Sequence, residues 1–118
     1  MDQLAARQKR RLADVVRTTT LELFQAIDER SPVDTGRFRG NWQVSYGAPL
    51  LSPIARLAPG GSDEPGKALT LPVGGTVYMS NALPYAQRLE YGWSKQAPLG
   101  MVRRTVAEFD QYVKRALR

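Results

Sequence analysis

Residues 3–30 constrain the fold most, because they carry one uninterrupted helical pattern. Apolar side chains recur three, four and seven positions apart, with charged residues between them, at Leu12, Val15, Val16, Leu23, Phe24 and Ile27. This spacing predicts a long amphipathic helix. The β-branched run 18–20 has low helix propensity, so packing must hold the middle of the helix. Pro32 ends the pattern, since a proline disfavours helical geometry at the residue before it.

The remaining regular elements are short. Residues 41–46 and 76–80 alternate in polarity and predict two half-buried strands. Pro84 opens a short helix, and the glycine at position 92 is placed to end it. A stripe of apolar residues predicts the C-terminal helix, at Val102, Val106, Phe109, Val113 and Leu117. The prediction is one α+β domain over residues 1–118, with a long N-terminal helix, a small antiparallel β-sheet, a short helix and a C-terminal helix.

Between the strands lies a long segment, residues 48–74, rich in proline and glycine. A loop of this length inside a domain is usually functional. It also carries apolar side chains that are unusual in a solvated linker, including Leu50, Leu51, Ile54 and Leu57. A short strand is possible over residues 68–73. We expect the segment to order against a partner, to be mobile in the free protein, and to be dispensable for folding.

Composition leaves little room for catalysis. The 118 residues include no cysteine and no histidine, which removes thiol nucleophiles, disulfides and histidine-based metal or catalytic sites. Asp63 and Glu64 are adjacent, but no third ligand is near them, so solvated charge is the better interpretation than a cation site. We predict no catalytic, metal-binding or cofactor-binding residue. No apolar run is long enough to cross a membrane, and no signal peptide is evident.

Asp34, Thr35 and Gly36 form the triplet that carries the catalytic carboxylate of aspartic proteases. The context differs, because that triplet ends an apolar strand in all-β enzymes, whereas here it follows a charged helix end. A three-residue match is weak by itself. Pro32 and Asp34 also fit a turn or helix start, in which the carboxylate accepts backbone N–H groups. We therefore interpret Asp34 as a structural cap.

Two stretches together resemble a known family. They are SPVDTGRFRGNW, residues 31–42, and NALPYAQRLEYGWSKQAPLGMVRRT, residues 81–105. They are similar to the tail-completion or neck proteins of long-tailed bacteriophages, in which a Pro-Val-Asp-Thr-Gly-x-Leu/Phe-Arg stretch follows an N-terminal helix. A strand ending in Asn and a Tyr-Ala-x-x-Leu-Glu-Tyr/Phe-Gly stretch come later. Both blocks occur here in that order, while residues 47–75 have no counterpart.

The resemblance implies a structural virion protein without enzyme activity. Such proteins form a ring, typically a hexamer, between the head connector or head-closure protein and the tail terminator or tail tube protein, with possible passing contact with genomic DNA. It would assemble in the bacterial cytoplasm and reside in the virion neck. The residues expected to keep the motif structure are Pro32, Asp34, Thr35, Gly36, Trp42, Tyr85, Tyr91 and Gly92. The residues expected to contact partners are Arg37, Arg39, Leu50, Leu51, Ile54, Leu57, Arg88, Glu90 and Trp93.

A second interpretation is a small nucleic-acid-binding module, because the net charge is +6 and residues 7–11 hold a basic cluster. The two interpretations differ in the expected salt dependence of DNA binding. For the ring interpretation, we expect Glu90 to pair with an arginine, either Arg37 or Arg39 of the first block or one from an adjacent subunit.

Overall fold

The computed structural model describes residues 2–33, 36–91 and 100–117. The chain begins with the long helix α1 (Asp2–Arg30), the short helix α2 (Arg37–Gly40) and the strand β1 (Trp42–Tyr46). A 3₁₀ helix (Glu64–Leu69) and the strand β2 (Val77–Asn81) follow, and then the helices α3 (Ala86–Glu90), α4 (Val102–Ala107) and α5 (Phe109–Ala116). Helices combined with a small antiparallel sheet confirm the predicted α+β class.

The two strands pair antiparallel, with Trp42 opposite Asn81 and Tyr46 opposite Val77. Around this pair lies a small core formed by Ile27, Phe38, Trp42, Leu83 and Met101. The Trp42 indole Nε1 donates to Ser31 Oγ at 2.8 Å, and that hydroxyl donates to the Ile27 carbonyl at 2.7 Å. The end of α1 is therefore hydrogen-bonded to the first residue of the sheet.

Helix α1 continues unbroken through the three threonines at 18–20, as the apolar spacing predicted. Thr19 is buried, and Thr20 Oγ1 donates to the Val16 carbonyl at 2.8 Å. Helix α1 packs against the 3₁₀ helix and against α4 and α5. Tertiary packing therefore offsets the low helix propensity of the threonine run.

The proline- and glycine-rich segment departs from its prediction. The predicted short strand over residues 68–73 is absent, and the 3₁₀ helix Glu64–Leu69 occupies its first two positions. Glu64, Pro65 and Ala68 of this helix are buried. Proline is compatible with the first turn of a helix, where its missing N–H has no partner to lose. The segment therefore holds a short helix, and the predicted strand is wrong.

Residues 54–58 of the same segment lie along α2 and β1. The Ala58 N–H donates to the Gly36 carbonyl at 3.0 Å, and the Ile54 N–H donates to Asn41 Oδ1 at 2.8 Å. Arg56 Nε donates to the Gly40 carbonyl at 2.7 Å. Removing these residues would leave buried polar groups without partners, which contradicts the expectation that the segment is dispensable for folding.

Glu64 closes the outer edge of β1. Its Oε2 accepts the Val44 N–H at 2.9 Å, and its Oε1 accepts from Arg56 at 3.1 Å and from Lys67 at 2.9 Å. Burial raises the pKa of the Glu64 carboxyl, but these hydrogen bonds together outweigh it and hold the pKa below its usual value. Asp63 is exposed. Solvated charge is therefore the wrong interpretation for Glu64.

The C-terminal region also differs from its prediction, because a turn at Glu108 divides it into α4 and α5. The buried side chains are Met101, Thr105 and Tyr112, each one position before a residue of the predicted apolar stripe. The buried face is therefore rotated by one residue from the predicted one. Arg30 of α1 explains this rotation, since its guanidinium donates to Thr105 Oγ1 at 3.1 Å and to Glu108 Oε2 at 2.6 Å. The face of α4 and α5 that carries Thr105 and Glu108 therefore lies toward α1.

Replacement of Glu64 by alanine should lower the free energy of unfolding by about 1.5–3 kcal/mol, because the Val44 N–H and Arg56 lose a buried charged acceptor. Chemical denaturation of the purified variant measures this loss. The matched control is Asp63→Ala, which removes an exposed carboxylate from the neighbouring position and should change stability by no more than about 0.5 kcal/mol. Equal effects of the two substitutions would contradict the structural role of Glu64.

Candidate functional site

The two motif blocks meet in the structure. The Phe38 ring of the first block lies 6.3 Å from the Tyr85 ring of the second, measured between centroids. It also packs edge-on against Trp42, at 5.7 Å and an interplanar angle of 71°. Asn81 Nδ2 donates to the Phe38 carbonyl at 2.9 Å. Residues far apart in sequence therefore form one packed unit.

Glycines in the first block make room for the segment that follows β1. Gly36 has φ 82°, a left-handed conformation that favours glycine, and a Cβ there would lie 2.4 Å from Pro59. A Cβ at Gly40 would lie 2.2 Å from the Arg56 carbonyl oxygen. Pro32, another residue predicted to keep the motif structure, is buried. The predicted roles of Asp34, Thr35, Gly92 and Trp93 concern positions outside the described residues.

Glu90 is the best-connected carboxylate of the second block. Its Oε1 accepts the N–H groups of Met101 at 3.0 Å and Val102 at 2.8 Å, and its Oε2 accepts the Arg103 N–H at 2.9 Å. The Arg103 side chain adds an ion pair with Nε at 3.1 Å. Glu90 therefore caps the start of α4, where unpaired N–H groups favour a carboxylate.

The prediction that Glu90 pairs with an arginine is confirmed, but the partner within the chain is Arg103 rather than an arginine of the first block. Arg39 is engaged elsewhere, since its Nε donates to the Asp28 carbonyl at 2.7 Å and its Nη1 to the Pro59 carbonyl at 2.6 Å. Arg103 also lies over the ring of Tyr91, 4.5 Å from the centroid. The second block therefore uses the Glu90 carboxylate to bind the chain that follows it.

Gly100 adjoins this contact and allows it. It has φ +79°, and a Cβ there would lie 2.4 Å from the Glu90 carbonyl oxygen. Burial raises the pKa of the Glu90 carboxyl, but the three backbone N–H groups and Arg103 together hold the pKa below its ordinary value of 4.5. The ionised Glu90 carboxylate therefore links the chain before residue 92 to the chain after residue 99.

The predicted contact residues divide by exposure. Leu51 is 78% exposed and Leu57 66% exposed, and Leu50 is also exposed, whereas Ile54 is half-buried. Arg37 and Arg88 are exposed, and Tyr91, predicted to be structural, is exposed beneath Arg103. The leucines of the segment thus point outward while its polar groups bind α2 and β1.

An apolar groove between α1 and α5 was not predicted. It has a volume of about 280 Å³ and is lined by Val15, Val16, Thr19, Thr20, Leu23, Phe109 and Val113. Val16, Phe109 and nearby Leu12 are exposed. The rotation of α4 and α5 by one position accompanies this groove, because it leaves Val106, Phe109 and Leu117 of the apolar stripe exposed. The stripe itself was visible in the sequence, but its orientation was not.

The described residues offer no arrangement for metal chemistry, since no group of three or more carboxylates there is placed to hold a metal ion. Among the described helices, none combines the length and the apolar character that a membrane span requires. Comparisons of the chain with protein-family models, with curated proteins and with solved structures find no match. The described residues combine a packed core, a capped helix and exposed apolar surface.

Replacing Glu90 with glutamine should lower the free energy of unfolding at pH 7 by about 1.5–3 kcal/mol, since one neutral amide oxygen cannot replace two charged acceptors. The folded-state pKa of Glu90 is lowered, so its contribution is present above pH 4.5 and disappears as pH falls through the folded value. The gap between the two proteins should therefore narrow in acid.

Denaturant titrations at pH 7 and at pH 3 measure both effects. The matched control is Asp110→Asn, an exposed carboxylate of α5, which should leave stability within about 0.5 kcal/mol of the parent. A stability difference for Glu90→Gln that stays constant across this pH range would contradict the proposed cap.

Proposed function

We propose that the protein is a structural virion component that forms a ring at the head–tail interface, completes the tail and joins it to the head connector. Two observations support this function. The first is the resemblance of residues 31–42 and 81–105 to the neck proteins of long-tailed bacteriophages. The second, which carries the assembly role, is the amount of apolar surface that the single chain leaves in water.

The chain is too open for a self-sufficient monomer. Its accessible surface is 7720 Å², whereas a compact monomer of 13.1 kDa should expose about 6,400 Å². Its radius of gyration is 15.6 Å, against about 13.5 Å for a compact chain of this length. The excess of about 1,300 Å² exceeds the roughly 800 Å² that each partner contributes to a standard interface. A subunit with neighbours on two sides accounts for such an excess.

The exposed surface is apolar where an interface requires it. Among the described residues, thirteen large apolar side chains are exposed, against nine buried apolar residues. They include the leucines of residues 50–69 and the residues beside the apolar groove of α1 and α5. A ring subunit needs two different surfaces, one for each neighbour, and further surface for the parts above and below. Two separate apolar regions meet that need.

The alternative function, nucleic-acid binding, is favoured by the basic cluster at residues 7–11. It leaves the exposed leucines unexplained, because nucleic-acid interfaces are polar and positively charged. The two functions predict different behaviour in salt. DNA binding through lysine and arginine weakens steeply as salt rises, whereas apolar association does not.

We expect the purified protein to form a closed ring whose subunit number native mass spectrometry and negative-stain microscopy can count. Leu51→Glu should weaken this assembly at least about tenfold, because it places a charge on an apolar contact. It should leave the thermal stability of the subunit unchanged, since Leu51 is 78% exposed. Sedimentation velocity over a concentration series measures the change.

The control is Gln87→Glu, which adds the same charge at an exposed position of α3, outside the leucine segment. It should assemble like the parent protein. A parent chain that stays monomeric at every concentration but binds DNA with a steep salt dependence would replace the ring function with the alternative.

A further inference from the structure

A polar groove on the C-terminal half of α1 concentrates negative charge on a basic protein. Two cavities of about 310 and 490 Å³ adjoin there and share Gln25 and Glu29. The acidic residues that line them are Glu22, Asp28, Glu29, Asp63 and Glu108, and the basic ones are Arg30, Arg39 and Arg115. Five acidic and three basic groups leave a local charge of −2, whereas the whole chain carries +6. We call this surface the acidic groove.

One oxygen of a buried carboxylate in the acidic groove lacks a hydrogen-bond donor, while the other accepts the Ser62 N–H at 3.4 Å. Asp28 is 5% exposed, and its Oδ1 has no hydrogen-bond partner among the described residues. Arg39 Nε lies 3.6 Å from this oxygen, but its hydrogen bond goes to the Asp28 carbonyl. The neighbouring Glu22 Oε2 is buried without a partner as well. Burying a charged acceptor in this way is unfavourable until a donor arrives.

The pKa of Asp28 agrees with this geometry. Burial raises it, and the Ser62 N–H and Arg39 lower it by less, so the pKa stays above its usual value. The carboxylates are not grouped to hold a metal ion within the described residues. Charges spread along a groove instead match a row of guanidinium or ammonium groups, which donate to several carboxylates at once.

A cluster of basic residues stands at the other end of α1 in the sequence. Four of the five residues at 7–11 are basic, and Arg17 follows them. Arg7 and Arg11 are exposed, as are the neighbouring Gln3, Leu4, Ala6 and Gln8. We call residues 3–17 the basic arm. Two arginines of the arm touch their own chain, since Arg11 Nη2 donates to the Leu117 carbonyl at 3.2 Å and Arg17 Nε donates to the Leu71 carbonyl at 3.5 Å.

Arg7 and Arg11 of the arm cannot reach Asp28 in the groove of their own copy. All three residues belong to one unbroken helix, in which Asp28 lies 21 residues from Arg7 and 17 residues from Arg11, or about 30 and 25 Å at 1.5 Å per residue. We propose that the acidic groove of one copy receives the basic arm of a second copy. The proposal rests on the ring function and names the contact between its subunits. Such a head-to-tail contact uses two different surfaces and closes into a ring when the rotation permits.

Charge reversal on exposed side chains tests the contact in the full-length protein. The arm variant is Arg7→Glu with Arg11→Glu, and the groove variant is Glu29→Lys with Asp63→Lys. All four side chains are exposed, so each subunit should keep its fold and thermal stability. Each variant should weaken self-association at least about tenfold, because like charges then face each other. Sedimentation velocity and native mass spectrometry measure this loss.

Restoration of assembly is the decisive result. A chain with all four substitutions should assemble again, and so should an equal mixture of the arm variant and the groove variant. The matched control reverses two exposed charges outside the groove, Asp110→Lys with Lys114→Glu, and should assemble like the parent.

Three outcomes would overturn the contact. If both charge reversals leave self-association unchanged while Leu51→Glu weakens it, the inference fails and the ring function stands. If the reversals weaken assembly but their combination does not restore it, the arm and the groove do not bind each other. If the parent chain remains monomeric throughout, the ring function fails together with the inference.

Discussion

The outer edge of β1 is the constraint on which the rest of the structure depends. A sheet of two strands is barely stable by itself, and only one edge of β1 is paired with β2. Side chains complete the other edge, because Arg56 Nη2 donates to the Trp42 carbonyl at 2.8 Å and Glu64 accepts the Val44 N–H. Both side chains come from the proline- and glycine-rich segment. The sheet therefore holds that segment in place, and Gly36 and Gly40 give it room.

Because the sheet fixes the backbone of this segment, its exposed leucines can bind a partner without first becoming ordered. A segment that orders only on binding loses conformational freedom at that moment, and the loss weakens the complex. Here the backbone is already fixed by Ile54, Arg56 and Ala58, while Leu51 and Leu57 remain outside. A subunit that presents its contact residues on a fixed backbone needs less interface area for the same affinity.

Local sequence predicted the elements but not the contacts between them. The apolar period of residues 3–30 and the alternation of residues 41–46 depend on neighbours in sequence, so α1 and β1 could be predicted. The burial of Glu64 depends on Val44, twenty residues away, and the partner of Glu90 depends on how the chain returns after residue 99. Asn41 was missed for the same reason, since its Oδ1 accepts the Ile54 N–H. Nothing in the local pattern of these residues reveals their partners.

In the C-terminal helices, the face that the apolar periodicity predicts to be buried differs from the face that is buried in the structure. Periodicity places the stripe of Val106 and Phe109 in the core, but Arg30 selects the adjacent face because a half-buried guanidinium needs Thr105 and Glu108. A chain selected for monomer stability alone would place the apolar face inward. Local preference and tertiary packing conflict most often at functional surfaces. The conflict here lies beside α1. The C-terminal half of α1 contributes to the core and lines the acidic groove, and its N-terminal half carries the basic arm. The same long helix thus joins the surface that would receive a neighbour to the surface that would bind the next one.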